Sequence, residues 1–440
     1  MDDSRLNKKP QLNRVLFDSV FKPLPVVSGK RSCLGGNIIK PMRAAQLKAK
    51  AKAAYVGKRR IIVNNISKNP RIFELGDSFE GERTIMKNLG LDLGTKNIVI
   101  SFREESGNIG FISETNGYWP FERVTPFIKN MLNDPTKVRS DGTKRPARWV
   151  ELNGMAVVLG KDAEEFAYAK NDTLRRPMAE GGLSGDEEAM DILSIIVKGL
   201  LITAEHFVGK FENDMKLCYC TTAKAINKEI NIDYHMRVVE AILASYETPV
   251  TISQHTIKES HAVVLDSSPD GTGIGISWGA GTVTVSYVKY GMDIFSFCWV
   301  GSGDWIDNQV AVRHGYDPNS KKKSKETPTT VAKRKMNVDL TPGKATERLD
   351  FDITSMYHIL IEQVVDGIIS GFVDNENEAR IEDGINIYMA GGTSCPVGFT
   401  ELFKSIIDSK KVPFEIADIV RTEDPLFTVA RGCLKASEMF

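Results

Sequence analysis

Residues 89–102 read Leu-Gly-Leu-Asp-Leu-Gly-Thr-Lys-Asn-Ile-Val-Ile-Ser-Phe, and residues 275–287 read Gly-Ile-Ser-Trp-Gly-Ala-Gly-Thr-Val-Thr-Val-Ser-Tyr. In each stretch, runs of β-forming residues flank a glycine–threonine turn, Asp92-Leu93-Gly94-Thr95 in the first and Gly279-Ala280-Gly281-Thr282 in the second. Glycine has no Cβ, so the backbone N–H groups of such turns can converge on an anion. One strand–turn–strand unit used twice predicts two related halves that grip a polyphosphate from both sides.

A third glycine turn, Ala390-Gly391-Gly392-Thr393, follows the apolar run 385–389 and precedes a helical pattern over residues 399–407. The backbone of this turn can approach a flat base or a ribose closely. The three turns together favour a nucleotide site.

The composition is that of a soluble globular protein: the 440 residues are 42% apolar and 26% charged. The net charge is zero, but residues 1–88 hold 19 Lys and Arg against 7 Asp and Glu. We therefore predict a basic, partly disordered extension over residues 1–87 that precedes an acidic body. Contact of this extension with an anionic membrane or an acidic protein is one open alternative, and a solvated arm is the other.

The cysteines and histidines show no pattern typical of a metal or disulfide site. The six cysteines have no framework spacing, which favours a reducing cytoplasm. Cys218 and Cys220 are expected to be small core residues on one face of a strand. Asp2 and Asp3 argue against a targeting presequence, and the charged residues within the apolar window 192–208 argue against a transmembrane segment there.

The pattern between and after the hairpins alternates strands with helices, which is typical of an α/β fold. Helices are predicted for residues 184–207, 225–245 and from Asp304, and strands for residues 217–221, 250–254 and 294–299. Residues 106–182 contain several Asn-Gly, Asp-Gly and Pro signals, so this stretch is expected to be irregular and to form an inserted subdomain.

Five motifs in family order carry a resemblance to the actin, DnaK-type chaperone and sugar kinase superfamily. Residues 91–97 resemble its first phosphate motif and residues 275–285 its second. Residues 301–308 resemble the helix start that follows the second hairpin, residues 390–394 the adenosine motif, and residues 424–433 the closing helix. Within the superfamily the chain looks like the prokaryotic actins, namely MreB, MamK or ParM. Residues 174–182 are similar to the Arg-Pro connector of MreB and MamK.

The resemblance implies a two-lobed, duplicated ribonuclease H-like ATPase fold. Lobe I is expected at residues 88–258 with an insertion at about 106–182. Lobe II is expected at residues 259–425 with an insertion at about 311–350. Residues 426–440 are expected to form a helix that returns to lobe I.

The resemblance also implies roles for single residues. Asp92 would hold Mg²⁺ through water. Glu259 would orient, and partly deprotonate, the water that attacks the terminal phosphate of ATP or GTP, which makes Glu259 and Asp92 the predicted catalytic pair. The remaining predicted nucleotide-binding residues are Gly94, Thr95, Lys96, Ser277, Gly279, Ala280, Gly281, Thr282, Gly303, Asp304, Lys335, Gly391, Gly392 and Thr393.

Two positions depart from the family pattern. Ser277 stands where the family has an aspartate near the metal, so we expect weak Mg²⁺ binding and slow hydrolysis. Ala332 stands where the family has a glutamate beside the ribose, although Lys335 matches the lysine of the adenine-flanking helix.

Three functions are compatible with these residues. The first is an ATP-binding, actin-like protein of the cytoplasm that self-associates into nucleotide-dependent cytoskeletal filaments and hydrolyses ATP slowly. The second is a non-polymerising nucleotide-binding scaffold of a membrane, pilus or division assembly. The third is a small-molecule kinase of the same fold, but the cleft motif such a kinase needs is not found. Nucleic-acid binding is not expected, because the lysines of the extension have no interleaved aromatic residues for base stacking.

Overall fold

The computed structural model describes residues 88–439 apart from residues 105, 141, 171, 210, 212–214, 247–250, 253–255, 321–323 and 380–383. The extension predicted for residues 1–87 lies outside the described residues. The described chain falls into two compact units, a smaller one within residues 120–158 and a larger one that holds residues 88–119 and 159–439.

In chain order the strands are β1 (Asn88–Leu93), β2 (Asn97–Arg103), β3 (Ile109–Thr115), β4 (Tyr118–Phe121), β5 (Trp149–Leu152), β6 (Met155–Leu159), β7 (Met178–Ala179), β8 (Gly182–Leu183), β9 (Lys216–Thr221), β10 (Thr251–Ile252), β11 (Ile257–Lys258), β12 (Gly273–Trp278), β13 (Thr282–Lys289), β14 (Met292–Val300), β15 (Ile385–Ala390) and β16 (Ile416–Arg421). The helices are α1 (Pro126–Leu132), α2 (Gly160–Ala169), α3 (Ala189–Val208), α4 (Ile232–Ala244), α5 (Glu259–Ser267), α6 (Gly303–Arg313), α7 (Pro328–Lys335), α8 (Arg348–Asp374), α9 (Phe399–Ser409) and α10 (Thr428–Met439).

The larger unit contains two sheets built on the same plan. In the first sheet the order is β10-β9-β1-β2-β3, with β11 also paired to β9. In the second sheet the order is β14-β13-β12-β15-β16. Each sheet combines an antiparallel meander, β1-β2-β3 or β12-β13-β14, with a strand that runs parallel to the first strand of the meander. The predicted duplication is therefore present at the level of topology.

Glycines at matching places in the two sheets let a helix backbone lie directly on a strand. A Cβ added at Gly90 of β1 would lie 2.3 Å from the carbonyl oxygen of Ala430 in α10. A Cβ added at Gly275 of β12 would lie 2.1 Å from the carbonyl oxygen of Ser260 in α5. Both glycines stand two residues before the chemically important residue of the strand, Asp92 in β1 and Ser277 in β12.

The core of the second sheet is aromatic and aliphatic. Trp278 is fully buried, with its ring centroid 5.1 Å from that of Phe399 and 6.0 Å from that of Phe403 in α9. Helix α8 packs in the same core through residues such as Tyr357 and Ile361. Among the described residues α8 is also the helix long and apolar enough to cross a membrane by length and composition, and half of its most apolar window is buried inside the protein.

The smaller unit has its own hairpin. Strands β5 and β6 pair through a two-residue turn at Asn153 and Gly154, whose φ angles of 50° and 77° are those of a tight hairpin turn. Helix α1 starts at the cap Thr125, whose hydroxyl accepts a hydrogen bond from the Ile128 N–H at 3.2 Å. The strand order in this sheet is β4-β6-β5.

Three local predictions are wrong. Residues 106–182 are not irregular, because they hold β3 to β7 together with α1 and α2. The helix predicted for residues 225–245 begins only at Ile232, since the preceding residues pair with β14, where the Ile226 N–H donates to the Cys298 carbonyl at 3.0 Å. The helix predicted from residue 184 begins at Ala189, because the Ser184 N–H is bonded to the Pro177 carbonyl at 2.9 Å.

The other local predictions agree with the structure. Residues 217–221 and 294–299 lie in β9 and β14, and residues 399–407 lie in α9. The helix predicted from Asp304 is α6, which starts one residue earlier. The exact limits of the lobes and their insertions stay predictions.

Candidate nucleotide site

The two glycine turns that the sequence singled out meet in the larger unit. The first turn joins β1 to β2 and the second joins β12 to β13. A Cβ added at Gly281 would lie 2.8 Å from the Thr95 hydroxyl and 3.0 Å from the backbone nitrogen of Glu180. Gly281 is therefore required by space, since any side chain there would push the two turns apart.

The second turn is anchored through its carbonyl groups. Three of them accept hydrogen bonds from the segment that starts α6: Gly279 from the Ser302 hydroxyl at 2.8 Å, Ala280 from the Asp304 N–H at 2.8 Å, and Gly281 from the Gly301 N–H at 2.9 Å. In a trans peptide the C=O and N–H groups point in opposite directions, and the described residues contain no cis peptide. The N–H groups of Ala280 and Gly281 are thus directed away from α6, where they can bind an anion.

The third turn packs directly against the second. The Thr393 hydroxyl donates to the Gly279 carbonyl at 2.7 Å. A Cβ added at Gly391 would lie 2.3 Å from the Trp278 carbonyl oxygen, so only glycine fits there. Gly392 begins a short 3-10 helix that also includes Thr393. The predicted phosphate and adenosine motifs are therefore one contiguous group of backbone turns.

Two carboxylic acids lie beside these turns. Asp92 is near the end of β1, and Glu259 is the first residue of α5. Burial raises the pKa of Asp92 to about 6, although a hydrogen bond from the Cys220 thiol opposes the rise. Burial, and after it the charge of Asp92, raise the pKa of Glu259 to about 8, against hydrogen bonds from Ser277 and Thr284. Asp92 is thus close enough to Glu259 for its charge to disfavour the ionised form of Glu259.

Ser277 is bonded to the predicted catalytic acid itself. Its hydroxyl donates to Oε2 of Glu259 at 3.2 Å, and the Thr284 hydroxyl is 3.4 Å from the same oxygen. Ser277 is only 4% exposed. An aspartate here would add a further carboxylate next to Glu259, whereas serine donates a hydrogen bond without adding charge.

The sequence reasoning missed the position of Cys220. Cys218 and Cys220 are buried core residues of β9, as expected. In addition, the Cys220 thiol donates to Oδ1 of Asp92 at 3.4 Å. A hydrogen bond with Cys433 lowers the pKa of the Cys220 thiol, but burial and the charges of Asp92 and Glu259 outweigh it and raise that pKa to about 12. The parallel pairing of β9 with β1 is the signal that would have placed this thiol beside Asp92.

Lys335 and Gly303 lie in one buried cluster at the start of α6. The Lys335 ammonium donates to the Gly303 carbonyl at 2.5 Å and is 2.7 Å from Oδ1 of Asp307. Both charged side chains are at most 10% exposed. The predicted part of Lys335 in binding a nucleotide stays a prediction, since its ammonium group is already paired.

Asp304 lies near three cations. It forms an ion pair with Arg176, a residue of the connector that the sequence analysis did not place in the site. Burial works against the ionised form of Asp304, but the charges of Arg176, Lys335 and Lys96 outweigh it and lower the pKa. Lys96, at the first turn, thus lies close enough to the start of α6 to act on its acids.

The residues fit a nucleotide better than a protein-held metal ion. Among the described residues, no group of three or more His, Cys, Asp or Glu side chains is arranged to hold a metal. A magnesium ion here would depend on Asp92, water and phosphate oxygens, which suits a cation that keeps much of its hydration shell. The N–H groups of Ala280 and Gly281 in the second turn are donors that a phosphate group could use.

Comparison with solved structures gives the class of protein. A structure described as the MamK double helical filament matches with a TM-score of 0.55 and 16% identity, and covers 80% of this chain and 98% of that chain. MreB5 of Spiroplasma citri bound to ADP matches with a TM-score of 0.50 and 15% identity, and covers 78% of this chain and 94% of that chain. The chain therefore has the actin-like ATPase fold, as the motifs predicted.

The family is given by sequence. The model of the volactin family matches residues 86–437, and the chain belongs to that family. A search of the curated proteins finds no significant match.

Proposed function

We propose that this protein binds ATP between its two glycine turns, polymerises into nucleotide-dependent cytoskeletal filaments, and hydrolyses ATP slowly with Mg²⁺. The observation that carries the proposal is the contact of the turns at Gly281 and Thr95, because it forms one place that both phosphate motifs share. The actin-like fold and the nucleotide named in the MreB5 structure support it.

The phosphates would be held by backbone N–H groups of both turns. The donors are those of Gly94, Thr95 and Lys96 in the first turn and those of Ala280 and Gly281 in the second. The ammonium group of Lys96 would add positive charge next to them. The base and ribose would lie against Gly391, Gly392 and Thr393, whose backbone is packed under the second turn.

Slow hydrolysis follows from the state of Glu259. A base must be ionised to accept a proton from water, and a pKa of about 8 leaves most of Glu259 protonated at neutral pH. The hydrogen bonds from Ser277 and Thr284 hold the carboxyl group in one orientation. Bound Mg²⁺ would supply positive charge that neutralises the phosphates and disfavours protonation of Asp92.

Self-association is supported by the likeness to MamK, whose matched structure is a double helical filament. The test is light scattering together with negative-stain microscopy of the full chain in Mg²⁺ with ATP, GTP or no nucleotide. Filaments that form only with nucleotide, and that disassemble as phosphate is released, are expected. Persistent monomers at high concentration in both nucleotides would refute polymerisation.

The metal site has its own test in Ser277→Asp. The variant restores a carboxylate at the second strand end, so we expect tighter Mg²⁺ dependence and faster phosphate release than in the wild type. Ser355→Asp, at an exposed position of α8 outside the described site, is the matched control. A steady-state rate for Ser277→Asp no higher than that of the wild type would count against this assignment.

A non-polymerising nucleotide-binding scaffold is the second candidate, and the Ser277–Glu259 hydrogen bond favours it. This hydrogen bond engages the carboxyl group that would activate water. A scaffold could bind a nucleotide in this way without hydrolysing it. Nucleotide binding without filaments, together with vesicle binding that is lost when residues 1–87 are removed, would favour the scaffold. The cytoplasm is the proposed location. This proposal is supported by the five cysteines among the described residues, which are all free thiols, as is typical of a reducing compartment.

A further inference from the structure

Arg176 is a partly buried cation that the sequence analysis did not place in the nucleotide site. It lies in the connector between α2 and β7, next to the exposed Arg175. The Arg176 side chain is 22% exposed and forms an ion pair through Nη1 with Oδ2 of Asp304.

This ion pair lies next to the second phosphate turn. The N–H of Asp304 donates to the Ala280 carbonyl at 2.8 Å, so the partner of Arg176 is bonded to the turn itself. Farther along the chain, in the turn between β7 and β8, the backbone nitrogen of Glu180 lies 3.0 Å from the position of a Cβ at Gly281. The chain that follows Arg176 therefore passes the meeting point of the two turns.

The guanidinium group of Arg176 is not fully used by the protein. Its Nε is buried and has no hydrogen-bond partner in the structure. An arginine presents its N–H groups as a planar fork that matches two oxygens of a carboxylate or a phosphate. The ion pair with Asp304 uses part of that fork and leaves the Nε donor free.

The charges around the ion pair come from several groups. Arg176, Lys335 and Lys96 act on Asp304, while Asp304, Asp307 and Glu164 act on Arg176, and Asp307 is itself paired with Lys335. The unpartnered Nε of Arg176 is therefore the donor that an incoming anion can use. A terminal phosphate brings negative charge that a nucleoside diphosphate lacks.

We propose that Arg176 binds the terminal phosphate of a nucleoside triphosphate, exchanging its contact with Asp304 for phosphate oxygens, and so makes the site prefer triphosphate over diphosphate. This inference rests on the proposed nucleotide site and adds a specificity-determining residue to it. When Arg176 leaves Asp304 for the phosphate, the connector that holds Arg176 moves with it. The position of β7 and β8, which follow the connector, then depends on whether a triphosphate or a diphosphate is bound.

The test compares binding of ADP and of the non-hydrolysable analogue AMPPNP, each with Mg²⁺, to the full-length wild type, Arg176→Ala and Arg175→Ala. Arg175 is the matched control, because it carries the same charge one residue earlier and its side chain is exposed. Loss of a charge-assisted arginine contact should weaken AMPPNP binding to Arg176→Ala by about 10- to 100-fold, and ADP binding by less than about threefold. Arg175→Ala should bind both nucleotides like the wild type.

Arg176→Lys keeps a positive charge that can pair with Asp304. It therefore separates the loss of phosphate binding from any loss of stability caused by breaking that ion pair. Lysine lacks the planar fork, and the variant should still lose affinity for AMPPNP more than for ADP. Equal effects on the two nucleotides in both Arg176 variants would overturn this inference and leave the nucleotide site intact. A wild type that binds neither nucleotide would instead overturn the proposed function, and this inference with it.

Discussion

Replacement of Glu259 by glutamine isolates the energetic effect of the buried acid. Glutamine has the shape of the protonated acid, and its Oε1 can accept the hydrogen bonds that Ser277 and Thr284 now donate. The substitution removes only the ability of the side chain to ionise. We therefore expect the variant to fold and to differ from the wild type in its response to pH.

The magnitude follows from the pKa of Glu259, which burial and the charge of Asp92 raise from 4.5 to about 8. The folded protein holds this proton more tightly than the unfolded chain, so the stability linked to Glu259 is fully present below about pH 4.5 and is lost as pH rises through about 8. With ~1.36 kcal/mol per pKa unit, the wild type should lose about 2 kcal/mol of unfolding free energy between about pH 6.5 and about pH 8.5.

Other shifted groups are shared by the wild type and the variant. They include His235 and His261, whose pKa values burial lowers. The difference between the two stability curves over about pH 6.5 to about pH 8.5 therefore reports on Glu259.

The assay is urea unfolding of nucleotide-free protein across this interval, with the exposed Glu229→Gln as the control. The unfolding free energy of Glu259→Gln should fall by about 2 kcal/mol less than that of the wild type over this interval, while the wild type and the control decline together. In the presence of ATP and Mg²⁺, the same variant should release phosphate about 100-fold more slowly than the wild type. A pH dependence of Glu259→Gln identical to that of the wild type would refute the assignment of a buried, proton-holding Glu259.

Three further substitutions test the packing around the site. Gly90→Ala should lower the unfolding free energy, measured in urea, by about 3 kcal/mol or more, because its Cβ would lie 2.3 Å from the Ala430 carbonyl oxygen. The control Gly182→Ala should have little effect, because a Cβ there meets no atom within 4 Å. Gly281→Ala should weaken AMPPNP binding by about tenfold or more in calorimetry, with a smaller effect on unfolding, since its Cβ forces the two turns apart. Lys335→Met should destabilise the protein by about 3–5 kcal/mol because it leaves Asp307 buried and unpaired, and adding Asp307→Asn should recover part of that loss. Wild-type behaviour of Gly90→Ala, of Gly281→Ala or of Lys335→Met would each contradict the packing described for that residue.

The glycine turns could be predicted from the sequence because their chemistry is local. A glycine–threonine turn between β-forming runs needs no knowledge of distant residues, and the duplication placed the two turns in equivalent strands. Their contact through Gly281 and Thr95 then follows from the family fold. The same local signals located β14 and α9.

The contacts that tune the site could not be predicted, because they join residues far apart in the sequence. Cys220 meets Asp92 across 128 residues, and Arg176 meets Asp304 across the same number. Neither residue belongs to a turn or cap signature. The late start of α4 has a similar cause, since pairing of residue 226 with β14 overrides the local preference for a helix.

The helix α10 has a consequence for how the protein is made. It covers Gly90 of β1, and the Ser101 hydroxyl of β2 donates to the Ala430 carbonyl across 329 residues. On a ribosome, β1 and β2 emerge long before α10 exists, so the first sheet must wait with one face uncovered until synthesis has passed residue 439. That face is a natural place for a chaperone to act on the nascent chain, and a premature stop codon anywhere before α10 would leave it permanently bare.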